Sequence, residues 1–161
     1  MEEHVLKTLE ITPIGFVSRI SADENVRDRS LVVKVVLNPD LTPALEGIEE
    51  WSHIYVIFWL DRVPPASQPV LVHPGSGAGI FATRAPIHPN PIGLTLVELV
   101  KRAANVLWVR GLDAFEGTPV LDIRPYPDWE QGEFQSVTGF RFPGWLARIM
   151  EQQREADQAG V

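Results

Sequence analysis

The sequence predicts an all-β fold, a barrel or a sandwich, and three features carry that prediction. Its 161 residues include 14 prolines and 12 glycines spread along the whole chain, punctuation that suits short strands better than long helices. Between them lie apolar and β-branched runs of strand length, such as LVVKVVL and IYVIFWL. Sustained helical spacing of apolar residues appears only near the C-terminus. The length suits one domain whose core needs no covalent staples.

Taken in order, Ile11 to Val17 reads as the first strand. Leu31 to Leu37 is the second, ending at the turn signal Asn38-Pro39-Asp40. Thr42-Pro43 has the form of an N-cap followed by proline at the first helical position, so a short helix is expected near Ala44 to Glu50. His53 to Leu60 is a buried strand, and Pro64 to Gly79 a loop. Leu94 to Val100 and Val106 to Leu112 pair across KRAAN. Glu116-Gly117 is a tight turn, and Leu121 to Arg124 is extended. Phe142, Trp145, Leu146, Ile149 and Met150 follow helical spacing behind Pro143, and that helix is expected to fray into a solvated EQQREADQAGV tail.

Composition excludes several functions. With no cysteine there is no disulfide, thiolate zinc site or cysteine nucleophile, which fits a cytoplasmic protein. No apolar run reaches the roughly 18 residues of a membrane span, and MEEHVLKTLE shows no signal-peptide core. The formal net charge of −7 disfavours nucleic-acid binding through a broad basic face, leaving a local patch of arginines open. No two of His4, His53, His73 and His88 stand four residues apart, so no metal site is expected. His53, beside Ser52, reads as a hydrogen-bonded structural histidine ahead of a catalytic one.

Three stretches invite chemistry. HPGSGAGIF has glycines but neither the lysine nor the following helix of a phosphate loop; its IFA reads as strand-like. In GLDAFEGTPVLDIRPY, Asp113 closes a strand, and alternation turns Asp122 away from Leu121 and Ile123. An Asx turn at Asp113 and a pair between Asp122 and Arg124 or another arginine would be the purely structural roles. In GIFATRAPIHPNPIG, His88 and Asn90 both precede prolines and are held extended, displayed at little entropic cost beside Arg84. A pre-organised binding loop and a plain proline-rich connection both satisfy that segment.

GIFATRAPIHPNPIGLT and GLDAFEGTPVLDIRPY, with IGFVSRI and LEGIEEWSHIYVIFWLDR before them, resemble the TrmO-like (YaeB/VirR) family. The resemblance covers most of residues 11 to 127. It implies a small antiparallel β-barrel, with a short helix and a C-terminal helix, working as a homodimer with its cofactor near the subunit boundary. Residues 1–142 would form the barrel domain and 143–161 a helix and acidic tail. The implied activity is S-adenosylmethionine-dependent methylation of threonylcarbamoyladenosine beside the tRNA anticodon. By similarity, Asp61, Arg62, Arg84, Leu94, Gly111, Leu112 and Asp113 would hold the cofactor. Asn90, Asp122 and His88 are the catalytic candidates, and Arg124 and Tyr126 the substrate-binding ones. No metal and no membrane are implied.

The chain departs from the family's pattern in having His88 where arginine is usual and Arg19 after Ser18 where proline is usual. It also ends in an acidic tail where longer bacterial members carry a further domain. Two other functions therefore compete: a cofactor-binding barrel that methylates a different small-molecule or RNA substrate, and a non-enzymatic module contacting partners through Trp145 and Leu146.

Overall fold

Each apolar run folds with the two-residue alternation it carries, and six such strands close into one barrel. The computed structural model describes residues 8–21, 23–64, 68–126 and 141–159. The strands are β1 (Gly15–Ser18), β2 (Val32–Leu37), β3 (His53–Trp59), β4 (Ile92–Ala103), β5 (Val106–Arg110) and β6 (Pro119–Tyr126), followed by helix α1 (Gly144–Ala159). Val33, Val35 and Leu37 of β2 point inward, as do Ile54, Val56 and Phe58 of β3 and Leu107 and Val109 of β5. All strand pairs are antiparallel, in the order β1-β2-β5-β4-β3-β6, with β6 returning to β1 through Gly15↔Val120. Closure removes the unpaired edges an open sheet would expose.

The structure corrects several element boundaries. The first strand is only Gly15–Ser18; Pro13 lacks an N–H for the ladder, and the chain joins it where the Ile14 amide donates to the Val120 carbonyl. The short helix is not α-helical and does not begin at Thr42. It is a 3₁₀ segment, Pro39–Leu45, capped by the Asn38 side chain, which accepts from the Asp40 amide, while Thr42 donates to the Pro39 carbonyl. A second 3₁₀ turn, Ile48–Glu50, follows Gly47. The IFA stretch is a 3₁₀ turn, Ile80–Ala82, and not extended. β5 ends at Arg110, so Asp113 stands beyond the strand. The helix continues to Ala159, because Glu, Gln, Arg and Ala are strong helix formers. Leu146 is fully buried in the barrel's own core cluster, while Trp145 is half exposed. The Met150 side chain lies outside the described residues.

Gly93 shows how tightly the β3–β4 pair is built. It sits opposite Phe58, and a Cβ there would fall 2.3 Å from that ring. Gly93→Ala should therefore cost about 2 kcal/mol and lower Tm by roughly 5 °C. Thermal denaturation checks this; an unchanged Tm would mean that Phe58 can turn away without loss.

Candidate functional site

Three chain segments meet at one end of the barrel and enclose a cleft. β3 runs out into residues 60–63, β5 into residues 111–115, and the proline-rich loop enters β4 between them. Their cavity holds about 280 Å³, with Asp61, Arg62, Ile87, Asp113, Phe115 and Thr118 in its wall. A neighbouring cavity of about 480 Å³ shares Asp61, Val63, Pro64 and Ile87 with it and adds Trp59 and His88. The two together are of the size that takes a cofactor-sized ligand.

The 111–115 wall is held from behind. Gly111 has φ +98°, a conformation that lets the chain leave β5 and turn into the cleft at no Cβ cost. Leu112 is buried, and its carbonyl accepts from Arg19 Nη1 at 3.2 Å. The same nitrogen reaches the Ala114 carbonyl at 3.0 Å, and Nη2 reaches the Asn25 carbonyl at 3.3 Å. The Arg19 amide donates to the Glu116 carboxylate. Arg19 is itself buried; the three carbonyls satisfy its terminal nitrogens, its Nε has no partner among the described residues, and the Asp23 and Asp28 carboxylates lie within Coulombic reach of its charge.

Asp113 is aimed by a buried neighbour: Thr95 donates its hydroxyl to Asp113 Oδ1 at 2.8 Å, and Arg29 lies 3.6 Å from Oδ2. Arg62 acts as a clamp. Its Nη1 donates to Asp23 at 2.7 Å and its Nη2 to the Glu116 carbonyl at 3.1 Å, while its plane covers Phe115 at 4.4 Å. The Asp23 carboxyl is held below its usual range, first by the Glu116 amide it accepts from and then by Arg62.

The proline loop is fixed by backbone bonds, with the Leu60 amide on the Pro91 carbonyl and the Ile92 amide on that of Asn90. Arg84 and Leu94 are brought together, Arg84 Nη2 donating to the Leu94 carbonyl at 2.6 Å. His88 Nε2 lies 3.0 Å from the Thr83 carbonyl, and its ring packs edge-on against Phe81. A carbonyl only accepts, so Nε2 is the nitrogen that donates here. Asn90 is exposed at the tip.

Asp122, Arg124 and Tyr126 lie away from this cleft. Asp122 pairs with Arg124 at 2.9 Å, the structural role open to it, and lines a separate cavity of about 440 Å³ with Trp51 and Trp145. Tyr126 is buried edge-on to Tyr55 and sits opposite His53, at the far end of β3 from Trp59. His53 Nδ1 lies 2.9 Å from Ser52 Oγ, and burial lowers its pKa against the opposing pull of Glu98. Among the described residues no three carboxylate or imidazole groups gather as a metal site. Reading the sequence alone missed Thr95, Asp23 and Glu116 as parts of the site. Thr95 did leave a signal: alternation in GLTLV points it inward, where a lone hydroxyl needs a partner.

The fold and site define a small closed β-barrel with a cleft of mixed polar and apolar lining at one rim. Residues 23–129 match the tRNA-methyltransferase O N-terminal domain family, and the chain belongs to that family. A probable S-adenosyl-L-methionine-binding protein of Methanothermobacter thermautotrophicus is 40% identical over 130 residues, spanning 73% of this chain and 90% of its own length. The human tRNA (adenine(37)-N6)-methyltransferase is 38% identical over 97 residues, 58% of this chain and 22% of that protein. The crystal structure of TrmO from Pseudomonas aeruginosa superposes with a TM-score of 0.63 at 30% identity, covering 83% of this chain and 62% of that one. The chain spans about a quarter of the length of other curated relatives that it matches.

Proposed function

We propose that this chain is an S-adenosylmethionine-dependent methyltransferase whose substrate is the exocyclic nitrogen of threonylcarbamoyladenosine next to the tRNA anticodon. The observation that carries it is the cleft. Family membership gives the chemistry, and the cleft holds an oriented carboxylate, Asp113, beside the apolar surfaces of Ile87 and Phe115. Those groups fit a ligand with an apolar ring at one end and positive charge at the other. Asp61 and Asp113 would face its cationic groups, and Phe115 and Ile87 its base. Arg84, Leu94, Gly111 and Leu112 would shape the wall.

When bound, the cofactor supplies an electrophilic methyl group on a sulfonium. The protein's part is alignment and the exclusion of water. The acceptor nitrogen must lose a proton, and His88, whose Nδ1 is not the nitrogen bonded to the Thr83 carbonyl, would take it from the adjoining cavity that it lines with Asp61. Asn90 at the loop tip would meet the RNA. Arg124 would bear on it only at a second surface, and the buried Tyr126 would not touch it.

We also propose a homodimer in the cytoplasm. Leu71, Val72 and Phe81 stand exposed in the segment that leads into the proline loop, an apolar area that a second copy would cover. The barrel would fold as a unit over residues 1–142, with 143–161 as an appended helix and tail.

Titration calorimetry should show S-adenosylmethionine binding to the purified chain, and Arg84→Ala should weaken it about tenfold. No binding by the unaltered chain rejects the proposal. Mass spectrometry of tRNA nucleosides from a deletion strain decides the substrate: persistence of the methylated threonylcarbamoyladenosine would move the activity to another acceptor.

A further inference from the structure

We propose that the outer face of the β2–β5–β4 wall is the track that binds the phosphates of the RNA substrate, centred on Lys34, Trp108 and Lys101. This rests on the methyltransferase reading and adds the surface that holds the RNA.

The three side chains form one row across three strands. Lys34 pairs in register with Trp108 from β2, and Lys101 pairs with Trp108 from β4. Their ammonium groups lie 5.7 Å and 4.4 Å from the indole. The second alignment depends on a bulge. Glu98 pairs with Arg110 and Leu99 with Val109, so an unbroken ladder would set Val100 against Trp108. The shift between Leu99 and Lys101 brings the lysine there instead. Bulges re-aim side chains in this way.

The row is unusual in its charge. The formal net charge of the chain is −7, and five arginines are each tied to a carboxylate: Arg29, Arg62, Arg102, Arg110 and Arg124. Lys34 and Lys101 enter no ion pair among the described residues. Two ammonium groups held over an indole keep their charge available and lose little side-chain freedom when an anion arrives. Their strands are two ladder spacings apart, about 10 Å, a span suited to more than one phosphate of a single strand. Position selects RNA as the polyanion. From Trp108 the strand runs through Arg110 to Gly111, about 10 Å at strand rise, where the chain turns toward Asp113 in the cleft wall. A nucleotide inserted into the cleft would leave its flanking backbone lying over this row.

The test is fluorescence anisotropy of a labelled tRNA anticodon stem–loop carrying threonylcarbamoyladenosine, titrated with the full chain at salt between about 50 and 200 mM. Lys34→Ala/Lys101→Ala should weaken binding at least tenfold and reduce the log–log salt slope by about 1.5, the value for two lost phosphate contacts. Lys34→Arg/Lys101→Arg should restore both. Arg141→Ala/Arg148→Ala, an equal charge change near α1, should alter neither. S-adenosylmethionine affinity, measured by calorimetry, should stay the same in all three. An unchanged slope in the alanine pair overturns the track, as does an equal effect of the Arg141/Arg148 pair. Failure of the unaltered chain to bind the stem–loop overturns it too. RNA binding with the expected slope change but no cofactor binding would instead sink the methyltransferase reading and leave the track standing.

Discussion

Arg19→Ala should destabilise the chain by about 3 kcal/mol and weaken S-adenosylmethionine binding at least tenfold. The guanidinium is buried and donates to the carbonyls of Leu112, Ala114 and Asn25. Alanine leaves the Leu112 and Ala114 acceptors without a donor and opens a space behind the cleft wall. The loop carrying Asp113 and Phe115 then loses what sets its depth. Denaturant unfolding reads the first effect and calorimetry the second. Arg19→Lys, which keeps the charge but not the fork, should recover part of the stability and less of the affinity. Equal losses of stability with no change in cofactor affinity would make Arg19 a core residue only. The position therefore has a role here that a proline could not perform.

Asp113→Asn should lower cofactor affinity about tenfold, near 1.4 kcal/mol, while changing stability by less than about 0.5 kcal/mol. Asparagine can still accept from Thr95 through its side-chain oxygen, so the orientation survives and only the charge goes. The Arg29 contact is 3.6 Å long between exposed groups and adds little to stability. Thr95→Val should give the complementary result, since it keeps the charge but frees the carboxylate to turn. Its affinity loss should be smaller than that of Asp113→Asn. Calorimetry on both variants decides; equal affinity in Asp113→Asn and the unaltered chain would remove this carboxylate from the proposed contact with the cofactor's positive charge.

The two results bear on how Arg62 works. Its two terminal nitrogens are engaged by Asp23 and Glu116, and its face by Phe115. It thus shapes the cleft through its neighbours, whichever part of a ligand it also touches. Arg19, Asp23, Glu116 and Arg62 form one brace behind the wall, built from chain positions nearly a hundred residues apart.

Local pattern determined much of this protein. Alternating β-branched runs in LVVKVVL and HIYVIFWL specified strands with one buried face, because a pleated backbone turns every second side chain inward. Three prolines specified a stiff segment around His88 and Asn90, because each ring restricts its own residue and the one before it. Family blocks specified the barrel. Other features needed the tertiary structure. A capping oxygen at Asn38 outcompeted Thr42, and the two prolines favoured the tighter 3₁₀ turn, a balance of small terms that residue type alone does not settle. Asp122 and Asp113 looked alike in sequence, yet one pairs with Arg124 beside α1 and the other stands in the cleft. The Arg19 brace, the Thr95–Asp113 bond and the Lys34–Trp108–Lys101 row all depend on barrel closure, strand register and one bulge. These are relations between distant residues, and only the folded chain brings their partners within hydrogen-bonding or Coulombic reach.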